Sequence, residues 1–542
     1  MDTKRYVFEA LTRHNYFPNQ KLSIKEIPPC FGTTTFTPEV AQILAQTKKE
    51  AGRGRLGYDH VEYAATRHNN VPRKLGLVHP RAYADLVTIM HSHWDHLAWV
   101  CENDRSMIKP ELHQDGRMLV MNYEDPNKKI VRELNDSFAS SFRVTTDISG
   151  CFPGIYSHAI EWALDGIDSS KERLRDRGPQ HWSGELDRAQ RQCKRNETQG
   201  IPIGPATSSI VVEVILGKVD QELAQAGFNF RRHIDDYVCY CSTLEQTDAF
   251  LQTLGKLLRN YKLNLNLHKT SVVDLPAALQ ADWVAELNGA LPSRFITQAH
   301  NARTLLGSEV IQYLNFAIRL NKQTPDGSVL KYAIGSIINF IDSTGVYEVF
   351  DYILNLSWHF PLLLPYLEIL IEKDYFDTSS YGGQLNTIAL LNAKSFRSDG
   401  ISWPLYYLKK HNLPIDHQVI DAVLASEDCL GLLSLYQFEQ AQEMVVNFAS
   451  GKASLDVYSK DQYWLLLYQL YLDQKIANPY MDDCFPVLQQ HAVNFMTVPN
   501  QPSTPAELYC DYLDNPFRAE DEPILPYLDW LKSPKKQRKT ST

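Results

Sequence analysis

The sequence predicts an α+β fold: a small split βαβ sheet with carboxylates at its strand ends, followed by an all-α C-terminal half. Three observations predict it. The stretch Arg231-Arg232-His233-Ile234-Asp235-Asp236-Tyr237-Val238-Cys239-Tyr240-Cys241 places two adjacent carboxylates between two short runs of strand character, which reads as a hairpin with the Asp pair at its turn. Upstream, Phe142 to Ile148 alternates apolar and polar residues, so that Asp147 shares a face with Thr145 and Arg143. Beyond Pro276 the pattern changes to apolar residues at helical intervals separated by Gly, Pro, Asp or Asn.

In chain order, Met1 to about Phe36 mixes short helical pieces with the turn-rich run Glu26 to Gly32, and about Pro38 to His113 is expected to be mostly helical, with Asn69-Asn70-Val71-Pro72 as a turn. Within it, His91-Ser92-His93-Trp94-Asp95-His96 matches the His-x-His-x-Asp-His pattern of zinc hydrolases. That pattern needs a loop at the end of a buried strand. Leu86, Ile89, Met90, His93, Leu97 and Val100 recur instead at helical spacing, which favours one amphipathic helix over a metallo-hydrolase. After the strand ending at Asp147, Gly150 to Gly154 reads as a turn and Ile155 to Leu164 as a helix. The Gly/Pro-rich loop Gln199 to Pro205 feeds a helix with Ile210, Val211, Val214, Ile215 and Val219 on one face. After the hairpin come a helix from Gln246 to Tyr261 and a strand from Leu263 to Thr270. Eight helical segments follow between Leu305 and Leu472. Periodicity alone fits a solenoid or an irregular bundle equally, since no fixed repeat recurs.

At 542 residues and 44% hydrophobic, the chain can bury a large core and is expected to form two or more domains. No apolar run reaches the roughly 18 residues of a membrane span, and Met1 to Tyr6 has no secretory character. Nine scattered cysteines give no disulfide or zinc spacing, which suits a reducing cytoplasm. A net charge of −10 argues against a protein coated in duplex nucleic acid, which needs clustered Lys and Arg. A local basic groove would draw on Arg67, Arg73, Lys74 and Arg81.

Four stretches in order resemble reverse-transcriptase motifs: Asp147-Ile148-Ser149-Gly150-Cys151-Phe152 motif A, Gln199 to Pro205 motif B, His233-Ile234-Asp235-Asp236 motif C, and Leu267-His268-Lys269-Thr270 motif D. Ile155 to Trp162 and Gly200 to Pro205 further resemble the bacterial abortive-infection (Abi) antiphage polymerases. Family members usually have Tyr or Phe where this chain has His233. The resemblance implies residues 1–113 as an N-terminal and fingers-like region and 114–280 as a palm. Residues 281–530 would be a helical, repeat-like domain where other polymerases have a thumb, and 531–542 a basic tail, expected to be disordered.

The implied activity is a nucleotidyltransferase that makes DNA from dNTPs by a two-metal mechanism, template-independent and protein-primed, in defence against phage. Asp147, Asp235 and Asp236 are the implied metal and catalytic carboxylates, holding two Mg²⁺ ions with Mn²⁺ as a substitute. Lys269 would stabilise charge on the leaving phosphates. Phe152 would lie under the sugar and exclude a 2′-hydroxyl, and Gln199 and Gly200 would bring backbone close to the nucleotide. Single-stranded DNA, covalently attached to the protein, would be the product of a cytoplasmic homo-oligomer with no membrane contact. The alternatives are template-directed reverse transcription and, from a different class, an inactive scaffold on a polymerase fold. Three mutually repelling carboxylates favour an enzyme over a scaffold.

Overall fold

A computed structural model describes residues 3–496, apart from 22–23, 68–69, 114, 122–125, 176–180, 294, 296–303, 325–327, 373–378 and 455. The basic tail lies outside the described residues.

The central sheet has four strands: β3 (Phe142–Ile148), β4 (Asn229–His233), β5 (Asp236–Cys241) and β6 (Leu265–Asp274), in the spatial order β4-β5-β3-β6, all pairs antiparallel. Register brings Asp147 opposite Asp236 across β3 and β5. The helix Leu244–Asn260 packs against this sheet, and the helix Ala206–Gln225 meets it through Glu213 and Asp220, which bond Arg232 of β4 and Tyr237 of β5. The Ala206–Gln225 helix is buried almost all round. Beside the apolar face expected of it, Val212, Leu216 and Leu223 are also covered, as are Glu213 and Asp220.

The structure corrects the expectation of a mostly helical segment from Pro38 to His113. A second antiparallel hairpin lies inside it, β1 (His60–Thr66) and β2 (Pro72–Val78), with Thr66 opposite Pro72. The Ala-containing run of β1 is held extended from far along the chain. Ser398 Oγ accepts from Ala64 N at 2.7 Å, and Asp399 Oδ2 accepts from Thr66 N at 2.8 Å. Long-range partners of this kind override local propensity and leave no local sequence signal. The expected single helix through the His-rich stretch is also broken. Pro80–Ser92 ends at His93, and short turns Trp94–Leu97 and Ala98–Glu102 follow. His91 stacks on Phe8 at 4.2 Å, His93 and His96 lie over Trp182 at 4.9 and 5.2 Å, and Asp95 pairs with Lys4.

From Gly307 to Gln490 the described chain is helical, with no further sheet strand among the described residues. The expected helices are present, and Gly382–Lys394, hidden from sequence by its Gly-Gly start, packs between neighbours in the same series. This half returns to the N-terminal region. Trp464 Nε1 donates to Leu77 O at 2.9 Å, and the fully buried Arg53 guanidinium pairs with Asp461 at 2.6 Å. One buried core runs from Tyr6 to Phe495.

Candidate active site

β3 delivers Asp147 at its end, where it is 6% exposed. Asp236 opens β5, and Asp235 sits in the two-residue turn Ile234-Asp235, closed by the pair His233 and Asp236. The backbone of this turn is tied to β3, because Ile148 N donates to Asp235 O at 3.2 Å. Ile234 has φ of 59°, a left-handed conformation that β-branched residues rarely adopt and that hairpin turns of this length require.

Carboxylates gathered in this way oppose one another's ionisation. Burial first, then the charges of Asp236 and Asp147, push the Asp235 carboxyl up to about 6. Asp236 is also raised, by burial and then by Asp147, with Lys269 acting against the shift.

Lys269 reaches this group through an irregularity in β6. Thr145 pairs with Ser271 and Asp147 with Asn266, so Thr146 alone on β3 faces Leu267, His268, Lys269 and Thr270 on β6. The bulge is pinned at its base, where Thr146 and Thr270 hydroxyls meet at 2.7 Å and Thr270 Oγ1 donates to Asn266 O at 2.9 Å. Bulges re-aim side chains beside active sites. Here one carries the mostly exposed Lys269 ammonium to 2.5 Å from Asp147 Oδ2. The hydrogen bond to Asp147 raises the lysine, despite partial burial. Asn266 Nδ2, which sequence reasoning did not single out, lies 3.4 Å from the same oxygen.

Phe152 is 7% exposed in the turn Cys151–Gly154, and the Arg73 guanidinium from β2 stands 5.9 Å from its ring centre. Arg73 Nε is buried with no hydrogen-bond partner, and burial lowers the arginine below its ordinary range. Of the other basic candidates, Lys74 pairs with Glu62, and Arg81 is buried against Asp85 and the Ala45 and Thr47 carbonyls. Gln199 and Gly200 pack on the Phe152 turn. Gln199 Nε2 donates to Gly154 O at 3.0 Å, Gly200 N to Ile155 O at 2.7 Å, and Ile201 N to Phe152 O at 3.1 Å. Gly200 has φ of 81°, and a Cβ there would stand 2.9 Å from Lys194 Nζ and 3.1 Å from Pro153 O. The need for glycine thus comes from the protein's own backbone.

The structure therefore brings Asp147, Asp235, Asp236 and Lys269 together, with Phe152 and Arg73 beside them and Gln199 and Gly200 behind Phe152. It also contains a buried network absent from sequence reasoning. Arg232 is 0% exposed and ion-paired with Glu213 at 2.8 Å and Asp220 at 2.7 Å. A signal for it existed, since Glu213 and Asp220 interrupt an otherwise apolar helix on one face and buried acids require a partner.

The donor set suits a hard divalent cation, being carboxylate oxygens with unbalanced negative charge. Among the described residues, no three His, Cys, Asp or Glu side chains are placed so that they could hold a metal ion together. Asp147 is instead paired with Lys269.

Residues 110–317 match the reverse transcriptase (RNA-dependent DNA polymerase) family. The chain thus carries a reverse-transcriptase domain, and it is an enzyme of the DNA-polymerase, nucleotidyltransferase type. Such domains use divalent metal ions and act on nucleotides and nucleic acid. No curated protein matches the chain. Similar solved structures include telomerase from Candida albicans in complex with a fragment of telomeric RNA, at 12% identity, covering 77% of this chain and 68% of that one with a TM-score of 0.29. Apo telomerase from Candida tropicalis is similar at 11% identity, covering 74% of this chain and 70% of that one with a TM-score of 0.30. Among the described residues no helix is long and apolar enough to cross a membrane.

Proposed function

We propose that this enzyme makes DNA from dNTPs at Asp147, Asp235 and Asp236, without a template and from a hydroxyl of the protein itself, as an abortive-infection (Abi) polymerase acting against phage. The observation that carries the catalytic part is the convergence of three carboxylates from two strand ends, with Asp235 pushed up to about 6. Asp147 and Asp235, supported by Asp236, would hold two Mg²⁺ ions, for which Mn²⁺ would substitute. When bound, those ions activate the attacking hydroxyl and neutralise the triphosphate. Lys269, released from Asp147 as cations arrive, places its ammonium toward the leaving phosphates. Arg73, with an unused buried N–H over Phe152, offers a donor to the triphosphate. Phe152 would place its ring under the sugar and favour dNTPs.

Template independence and protein priming rest on the resemblance of Ile155 to Trp162 and Gly200 to Pro205 to the Abi group, together with the net charge of −10, which disfavours a long duplex track. The same resemblance supports a HEAT-like C-terminal domain, a cytoplasmic location and homo-oligomers. A second reading, template-directed reverse transcription, is favoured by the match of residues 110–317 to RNA-dependent DNA polymerases. The test is to supply labelled dNTPs and Mg²⁺ or Mn²⁺ with no nucleic acid, denature, and extract with phenol. Label retained on the protein supports the first reading. Label found only in free DNA, and only when RNA template and primer are added, replaces it with the second.

A further inference from the structure

The turn that carries Asp235 is held from inside the protein by a single guanidinium. Arg232 uses all five of its N–H groups. Nε donates to Asp220 Oδ2 at 2.9 Å, Nη2 to Asp220 Oδ2 at 2.7 Å and to Glu213 Oε2 at 2.9 Å, and Nη1 to Glu213 Oε1 at 2.8 Å. The remaining Nη1 hydrogen goes to the Ile234 carbonyl oxygen, also at 2.8 Å. That carbonyl belongs to the peptide unit joining Ile234 to Asp235. Its orientation sets the backbone direction from which the Asp235 side chain departs.

The anchor is itself immobilised. Arg232 N donates to Arg105 O, and Met107 N donates to Arg232 O, both at 2.8 Å. Tyr237 Oη donates to Asp220 Oδ1 at 2.9 Å, which fixes the acceptor on the helix Ala206–Gln225. On its far side the Asp235 carbonyl takes the Ile148 N–H. Both peptide units flanking Asp235 are therefore held, and the residue between Arg232 and Asp235 that bears the unfavourable left-handed conformation is Ile234. A network that served stability alone could be replaced by well-packed apolar groups. The directed bond into the turn carbonyl could not.

We infer that Arg232 is a positioning residue for the catalytic turn: it clamps the Ile234 carbonyl to Glu213 and Asp220 and so fixes the direction in which Asp235 meets a divalent cation. The inference rests on Asp235 being a metal ligand, so the experiment must separate the two. Manganese binding to the full chain is titrated by electron paramagnetic resonance, with thermal melting run in parallel, for wild type, Asp235→Asn, Arg232→Lys, Glu213→Gln and the double variant Arg232→Lys/Ile234→Gly. Lysine keeps the charge but cannot fork between two carboxylates and a carbonyl. Arg232→Lys should weaken Mn²⁺ binding about tenfold, the scale on which partners of metal ligands act. Ile234→Gly in that background should recover most of the loss, because glycine takes a positive φ without the clamp.

A folded Arg232→Lys protein with wild-type Mn²⁺ affinity overturns the inference, and so does a double variant no better than the single one. If Arg232→Lys does not fold, Glu213→Gln decides. It should weaken binding in the same direction by a smaller factor than Arg232→Lys does, and unchanged affinity overturns the inference. Should Asp235→Asn bind Mn²⁺ as wild type does, it is the assignment of Asp235 as a ligand that falls.

Discussion

The molecule contains two hairpins that use the same antiparallel pairing and are held by opposite means. β4–β5 closes on two residues, and its buried supports, Glu213, Asp220 and Tyr237, lie within about a single helix and strand of the turn. β1–β2 closes on the longer stretch from Arg67 to Val71, and its outer edge is satisfied by Ser398 and Asp399 in the C-terminal half. The first hairpin bears the proposed catalytic carboxylates Asp235 and Asp236, while the second sets Arg73 over Phe152 and is bonded to the helical half. The β4–β5 turn is therefore a local device, whereas the β1–β2 hairpin depends on the far half of the chain.

The largest effect should come from Asp235→Asn, which breaks the local device at its functional residue. Incorporation of dNTPs should be abolished while the fold survives, and undiminished synthesis would remove the carboxylates from the mechanism. The same variant tests the electrostatics. A carboxyl raised in the folded state binds its proton more tightly there than in the unfolded chain. Its contribution is therefore fully favourable below the unfolded value of about 4 and is lost as pH rises through about 6. Metal-free wild type should accordingly lose stability relative to Asp235→Asn over that window, with the asparagine protein melting higher at pH 7.5 and the difference vanishing near pH 4. Melting curves of the two proteins at several pH values measure it.

Next in size is Asp461→Ala, which attacks a second link from the helical half, at the approach to β1, where Asp461 also accepts from Asp59 N. It leaves the Arg53 guanidinium buried without its bidentate partner, and breaking such a pair costs about 3–5 kcal/mol. The melting temperature should fall, and limited proteolysis should begin at the Arg67–Val71 connection of the loosened hairpin. An unchanged melting curve and an intact connection would mean that β1–β2 does not depend on the Arg53–Asp461 link. A third, smaller effect is expected of Lys269→Ala. The variant keeps the carboxylates but loses the charge that the β6 bulge delivers, so kcat should fall about a hundredfold, the low end of the range for an assisting acid, with little change in the KM for dNTP. A rise in KM alone would place Lys269 in ground-state binding.

The contrast between the hairpins also explains what could be read from the sequence. Asp147, Asp235 and Asp236 were legible because strand alternation, a two-residue turn and motif order are local patterns. The split βαβ order and most C-terminal helices were legible for the same reason. β1 was not, because Ala64 and Thr66 find their partners at Ser398 and Asp399. The reach of Lys269 was half legible, since the motif marks the lysine but no pattern announces a bulge opposite Thr146. Arg232 stands just before motif C with no local pattern to mark it, although two acids on one face of the Ala206–Gln225 helix ask for a cation.

Phe152→Ala should give the smallest effect and is the sharpest test of whether the two hairpins cooperate. Phe152 follows β3, but the cation over its ring comes from β2, so under the proposed function the wall beneath the sugar would be built by both. Removing the ring opens space where a 2′-hydroxyl would sit, and the ratio of rNTP to dNTP incorporation should rise. Steric discrimination of a single hydroxyl by an apolar group supports roughly 10–100-fold at most, so a rise of about tenfold is expected, with dNTP use itself reduced only modestly. Arg73→Lys should leave that ratio near wild type and raise the KM for dNTP, because it alters a donor and leaves the wall in place. An unchanged ratio in Phe152→Ala would return the ring to the core, where its 7% exposure would be accounted for by packing alone. If Arg73→Lys shifts the ratio as much as Phe152→Ala does, the cation and the ring act as one surface. Sugar choice would then depend on the docked helical half as well as on the palm.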